Sequence, residues 1–156
     1  MNVYDNIWIY SKFYADMIAT ANRLFENDEP YASLVVLFNA TELIFKSIRE
    51  NDSYTLSNDI EWLHRHDFLS TDEFEFLNDE TGIRTLRNKM VHKDFYRYFI
   101  EIDGILYPFT EKETWNMLCE MIIPEILSII NNVISKKMDI ASMGEDKYES
   151  SNICAI

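Results

Sequence analysis

Apolar side chains recur along most of this chain at steps of three, four and seven residues, which is the spacing of one face of an α-helix. The longest such stretches cover residues 6–26, 30–50, 83–93 and 115–133. Each stretch predicts an amphipathic helix. The apolar stripe in 30–50 is the widest, so we expect this helix to be the most buried element.

Two further patterns lie between these long helices. A short helix is predicted over 57–66, and Ser70 and Glu73 form a capping box that begins another. Runs of aromatic and β-branched residues then flank Asp103-Gly104, a pair that accepts the positive φ angles of a tight turn. We therefore predict a β-hairpin over 95–109, directly after the helix at 83–93.

Composition favours one helical domain. The 156 residues include only three Gly and three Pro, residues that are frequent in the turns of β-sandwiches and β-barrels. Hydrophobic residues make up 47% of the chain, which is enough to form a core. The predicted fold is mainly α: a bundle of four to five helices with a small β-hairpin, forming a single domain over residues 1–135. From Lys136 the sequence turns polar and loses its period, so residues 136–156 are predicted to be a disordered tail.

Neither a membrane partner nor metal or thiol chemistry is expected. The chain has no run of about 18 apolar residues and no secretory signal, so we expect a cytoplasmic location. Cys119 and Cys154 form no Cys-x-x-Cys pair and are expected to be reduced thiols without a role. His64 and His66 have Glu61 and Asp67 beside them, but the two histidines point to different sides of a helix and no second cluster supplies the remaining ligands, so no metal site is predicted.

The charge distribution singles out one segment. A net charge of −13 argues against non-specific nucleic-acid binding over the whole surface, since that affinity comes from Lys and Arg. Residues 84–97, however, hold Arg84, Arg87, Lys89, Lys93 and Arg97 against the single acid Asp94. The net charge of this window is therefore +4, which leaves −17 for the rest of the chain.

The same segment carries side chains suited to RNA cleavage. On the predicted helix Arg87 projects at roughly 40° from Ile83, inside the apolar arc, while Asn88 and His92 lie on the adjoining side. Histidine titrates near neutral pH and can move a proton to or from the ribose 2′-hydroxyl or the leaving 5′-oxygen. Arginine can stabilise the pentavalent phosphate. One hypothesis is therefore a ribonuclease site of Arg87, Asn88 and His92, whose chemistry needs no metal.

A purely structural interpretation of these residues is the alternative. An arginine among core residues requires a partner, and the candidates are an acid such as Glu42, a facing subunit or a phosphate. In this interpretation Arg87 pairs with an acid of the second long helix. His92 then lies at a helix C-terminus, where a positive charge is favoured.

The motif resembles the signature of a known superfamily. Arg87-Asn-Lys-Met-Val-His92 fits the Arg-x4-6-His signature, with Asn often second, of the HEPN domains, named for higher eukaryotes and prokaryotes nucleotide-binding. In those helical bundles the third major helix carries the motif. The segment Ala40-Thr-Glu-Leu-Ile-Phe-Lys46 also resembles the Glu-Leu-x-x-Lys stretch common in their second helix. The likeness covers roughly residues 5–135.

The resemblance implies a metal-independent endoribonuclease without a cofactor, often a toxin or an antiphage defence component, whose homodimer cuts RNA at a cleft between subunits. It makes His92 the general acid or base, Arg87 the phosphate-stabilising cation and Asn88 the orienting group. The expected RNA-binding cations are Arg84, Lys89, Lys93 and Arg97, with Glu42 in support. The toxin branch has Tyr two residues after the histidine, where this chain has Asp94, so control through such a tyrosine is not expected.

Two other functions remain as hypotheses. The first is a non-catalytic HEPN-like module that binds a basic partner protein or a nucleotide and scaffolds a defence complex. The second is an antitoxin or inhibitor whose acids mimic nucleic acid. The cluster of positive charge in 84–97 disfavours the second, because a mimic of nucleic acid has no use for it.

Overall fold

A computed structural model describes residues 3–79 and 82–152 of the chain, with side chains over 4–79 and 82–143. The helices are α1 (Val3–Tyr10), α2 (Lys12–Glu26), α3 (Pro30–Arg49), α4 (Leu56–Arg65), α5 (Thr71–Asn78), α6 (Ile83–Met90) and α7 (Lys112–Asn152). A 3-10 turn (Phe95–Arg97) and the strands β1 (Phe99–Ile102) and β2 (Ile105–Pro108) lie between α6 and α7. The mainly α fold with a small hairpin is confirmed, although the chain forms more helices than the four to five predicted.

The central helix of the bundle is α3. It packs against α2, α4, α6 and α7, and half of its 20 residues are buried, as the wide apolar stripe predicts. Pro30 opens the helix at a position where its missing amide is not needed. Glu50 closes it in the left-handed conformation, with φ of 60°.

The prediction of one helix over 6–26 is wrong, because the chain breaks at Ser11. This residue takes an extended conformation, with φ of −161°, and its side chain accepts a hydrogen bond from the Tyr14 amide. Ser11 therefore caps the N-terminus of α2. Ile7 before the break and Ile18 after it are both fully buried, so the apolar period continues across the break and conceals it.

The predicted capping box and the predicted tight turn of the hairpin are confirmed, but the hairpin begins at Phe99 instead of Phe95, because residues 95–97 form the 3-10 turn. In the capping box the Glu73 amide donates to Ser70 Oγ at 3.2 Å, and the Ser70 amide donates to Glu73 Oε2 at 2.8 Å. In the hairpin, Asp103 and Gly104 have φ of 52° and 77°, as a tight turn of this type requires. The antiparallel register places Ile100 opposite Tyr107.

The motif helix ends earlier than predicted, at Met90 instead of residue 93. The His92 amide donates to the Lys89 carbonyl, an i to i+3 bond that tightens the chain into a turn. Val91 is consequently 73% exposed and does not join the apolar face of the helix. His92 lies after α6 instead of within it.

The last helix extends much further than predicted. It is helical to Asn152, which differs from the disordered tail predicted over 136–156; residues 153–156 lie outside the described part. Lys136 Nζ donates to the carbonyls of Asp67 and Phe68, and Lys137 Nζ donates to the Ile48 carbonyl. These two polar residues anchor α7 to the body of the bundle through their long side chains.

Two helices pass the length and composition test for crossing a membrane. They are Pro30–Arg49 and the Lys112–Met143 part of α7. Half of each apolar window is buried inside the bundle, which is equally typical of the core helix of a soluble protein. The expected cytoplasmic location without a membrane partner therefore stays a prediction.

Candidate functional site: two grooves beside α6

Helix α6 borders two open grooves, and the motif residues are divided between them. The basic groove has a volume of about 310 Å³ and is lined by Arg84, Thr85, Asn88, Lys89, His92 and Tyr98. None of these described lining residues is acidic, although the chain contains 27 Asp and Glu. The groove therefore gathers part of the positive charge found in residues 84–97.

His92 is exposed at this groove, in the turn after α6. Its amide donates to the Lys89 carbonyl at 3.1 Å and its carbonyl accepts from the Phe95 amide at 3.1 Å, so its backbone is fixed. Within residues 4–79 and 82–143, no hydrogen bond or ion pair involves the imidazole. The ring is thus available to exchange a proton with a bound molecule.

The four predicted RNA-binding cations are not all in one place. Arg84 and Lys89 line the basic groove, and Arg84 Nη1 donates to Ser57 Oγ of α4 at 3.3 Å. Lys93 and Arg97 are exposed on the segment after α6 but do not line the groove. Arg84 and Lys89 are therefore the cations placed to meet a phosphate beside His92.

Arg87 lines the second groove, the apolar groove, which also has a volume of about 310 Å³. The rest of its lining is mostly apolar: Met17, Tyr31, Val35, Val36, Phe38, Asn39, Met90 and Val91. Val35 is 44% exposed, so apolar surface faces solvent here. The predicted trio is accordingly separated, with Asn88 and His92 in one groove and Arg87 in the other.

An acid of α3 meets the Arg87 guanidinium. Arg87 Nη2 lies 2.7 Å from Glu42 Oε2, and the two side chains are 40% and 14% exposed. The prediction that Arg87 needs a partner is confirmed, and Glu42 supplies it within the same chain. Arg87 therefore requires no second subunit to balance its charge.

Glu42 belongs to a chain of alternating charges, of which only the i,i+4 pair with Lys46 was evident from the sequence. Lys46 Nζ lies 3.8 Å from Glu42 Oε1 and 2.8 Å from Asp59 Oδ2, and Arg49 Nη1 lies 2.9 Å from Asp59 Oδ1. Asp59 is fully buried, so α4 is joined to α3 through a carboxylate that both cations share. A signal was present in the sequence, because Asp59 interrupts the apolar stripe of its helix and an acid there needs partners.

Comparison with models of known protein families, with curated proteins and with solved structures finds no match to this chain.

Two further residues, Thr85 and Tyr98, line the basic groove. Thr85 lies three and four residues before Asn88 and Lys89, so helical spacing alone was a sufficient signal. Tyr98 reaches the groove because the 3-10 turn redirects the chain after α6, where the Tyr98 amide donates to the Phe95 carbonyl at 3.0 Å. The spacing of residues in the sequence does not indicate that the chain comes back to the groove at Tyr98.

Outside the two grooves lies one buried thiol, that of Cys119, among the described side chains. Burial raises the pKa of the Cys119 thiol to about 12, so this side chain is protonated at neutral pH and is a poor nucleophile. Cys154 lies outside the described residues. Among the described residues no group of three or more His, Cys, Asp or Glu is placed to hold a metal ion.

Proposed function

We propose that this chain is an endoribonuclease of the HEPN type that cleaves RNA without a metal, as a homodimer, in a toxin–antitoxin or antiphage defence system. The observation that supports the proposal best is the basic groove. In a chain of net charge −13, it places Arg84, Lys89 and His92 together with no acid among its lining residues. The resemblance of Arg87–His92 to the HEPN motif indicates the class of reaction.

His92 is the general acid or base of the proposed reaction. When it takes the proton of the ribose 2′-hydroxyl, the 2′-oxygen attacks the neighbouring phosphorus and a new P–O bond forms. The P–O5′ bond breaks, which leaves a 2′,3′-cyclic phosphate and a 5′-oxygen that takes up a proton. In a homodimer the two copies of His92 can serve the two proton transfers.

Arg84 and Lys89 stabilise the phosphate in this proposal, because they line the groove that also contains His92. This assignment departs from the one implied by the resemblance, in which Arg87 has that role. Arg87 instead fixes α6 against α3 through its ion pair with Glu42. Asn88 has an exposed side chain in the same groove and orients the phosphate or the imidazole.

Cleavage of a single-stranded RNA in the presence of EDTA tests the proposal. His92→Ala should lower the rate constant by at least about 100-fold, the lower end of the usual contribution of a general acid or base. Its circular dichroism spectrum should match that of the wild type, since the ring is exposed and unbonded. His66→Ala removes another exposed histidine, outside the groove, and should cleave normally. Undiminished cleavage by His92→Ala would refute the proposal.

The apolar groove favours a second function, a non-catalytic module that binds a partner protein. Val35 and Val91 expose apolar surface that a soluble protein ordinarily covers or keeps small. If this is the main function, purified protein leaves RNA intact, while Val91→Glu abolishes association measured by light scattering. The two functions are compatible if the partner is a second copy of this chain.

A further inference from the structure

We propose that the basic groove binds one unpaired nucleotide whose base stacks on the ring of Tyr98. The inference rests on the proposed function for the identity of the ligand as RNA, and it adds the residue that selects unpaired strands. Tyr98 lines the groove together with Lys89 and His92. Its side chain is 45% exposed.

The Tyr98 side chain forms no specific pairing within the part of the chain that the structure describes. Among the described residues no ring contact, hydrogen bond or ion pair involves it. Other tyrosines in this chain are engaged: the Tyr31 ring stacks on Phe95 with centroids 5.8 Å apart, and the Tyr10 hydroxyl lies 2.6 Å from Ser47 Oγ. The Tyr98 ring is therefore not engaged by another ring or by a hydrogen bond among the described residues, and its 45% exposed surface is available to a planar ligand.

The backbone beneath this ring is held at both of its polar groups. The Tyr98 amide donates to the Phe95 carbonyl at 3.0 Å, and the Tyr98 carbonyl accepts from the Phe109 amide at 3.1 Å. A side chain on a fixed backbone loses less entropy when it binds a ligand than one on a loose loop. Tyr98 is thus a preorganised support for a base.

The size and charge of the groove indicate which ligand can bind against the Tyr98 ring. A volume of about 310 Å³ falls at the lower end of the range of small-ligand pockets, roughly 300–1,000 Å³, and suits one nucleotide. Arg84 and Lys89 provide positive charge for its phosphate. An aromatic ring combined with cations is the arrangement by which proteins bind single strands, because a base must leave its helix before it can stack on a side chain.

A labelled deoxythymidine oligonucleotide is a suitable probe, because it lacks the 2′-hydroxyl and cannot be cut by the proposed chemistry. By fluorescence anisotropy, Tyr98→Ala and Tyr98→Leu should each raise the Kd at least about fivefold, the smallest effect usual for loss of one stacked base. Tyr98→Phe keeps the ring and should bind like the wild type. Tyr96→Ala is the matched control, since Tyr96 is exposed on the same turn but does not line the groove.

Three results would overturn the inference: an unchanged Kd for Tyr98→Ala and Tyr98→Leu, an equal loss for Tyr96→Ala, or no binding of a single strand by the wild type. The leucine variant retains apolar bulk, so a loss that it shares with the alanine variant is due to the missing ring. Cleavage plays no part in this experiment. A protein that binds the strand through Tyr98 but leaves RNA intact refutes the ribonuclease and preserves the stacking site.

Discussion

The two grooves beside α6 have the same volume and opposite chemistry. On the apolar side, Glu42 holds the guanidinium of Arg87 at 2.7 Å. On the basic side, His92 and Asn88 have side chains without a partner among the described residues. Arg87 and Asn88 are neighbours in sequence, and a step of about 100° along the helix sends them to different grooves. Adjacent residues of one motif can therefore divide structural and chemical roles.

This contrast gives a rule for the effects of substitution. Changes on the apolar side remove ion pairs between helices, so they should lower the free energy of unfolding. On the basic side, the side chains of Asn88, Lys89 and His92 make no hydrogen bond or ion pair among the described residues, so changes to them should alter binding and cleavage while the fold persists.

The largest effect is expected at Asp59, the buried acid of the charge chain that links Arg87 to Arg49. Asp59→Ala leaves Lys46 and Arg49, which are 13% and 12% exposed, without their shared carboxylate. Loss of one partner from such a buried pair costs about 3–5 kcal/mol, which urea denaturation can measure. Asp52→Ala removes an exposed acid and is the control. A loss below about 1 kcal/mol at Asp59 would mean that water already compensates these cations.

A smaller effect is expected at the ion pair between Glu42 and Arg87. Because Arg87 is 40% exposed, solvent weakens the attraction, and a double-mutant cycle of Glu42→Gln with Arg87→Gln should give a coupling energy of about 1 kcal/mol. The cycle uses the free energies of unfolding of the four proteins. Strictly additive effects would show that the pair does not hold α6 to α3.

The smallest effect is expected in the salt dependence of nucleic-acid binding, which should differ between variants of the cations in the two grooves. For a single-stranded deoxyoligonucleotide, Arg84→Ala or Lys89→Ala should reduce the slope of log Kd against log salt concentration by about 0.7, which corresponds to one phosphate contact. Arg87→Ala should leave the slope unchanged, since Arg87 is paired and lines the other groove. The reverse pattern would return the phosphate-binding role to Arg87.

Features that depend on a few neighbouring residues were predictable from the sequence. The Asp103-Gly104 turn needs only its own positive φ angles, and the box of Ser70 and Glu73 closes within one helical turn. The requirement of Arg87 for a partner also followed from a single helical wheel. Each of these predictions uses the geometry of one element.

Features that depend on how elements meet were missed. Periodicity describes side chains and not the backbone, so the break at Ser11 was concealed by apolar residues on both sides. The separation of Arg87 from His92 follows from the early end of α6 and from the position of α3. Tyr98 enters the groove only because the chain turns back after the helix, which a pattern along the sequence does not record.

We expect nucleic acid to bind in the basic groove and not in the apolar groove. An NMR titration of the wild-type protein with a single-stranded deoxyoligonucleotide tests it most directly. Side-chain signals of Thr85, Asn88 and His92 are expected to shift as strand is added, while the methyl signals of Val35 and Val91 stay in place. Shifts confined to Val35 and Val91 would contradict the account.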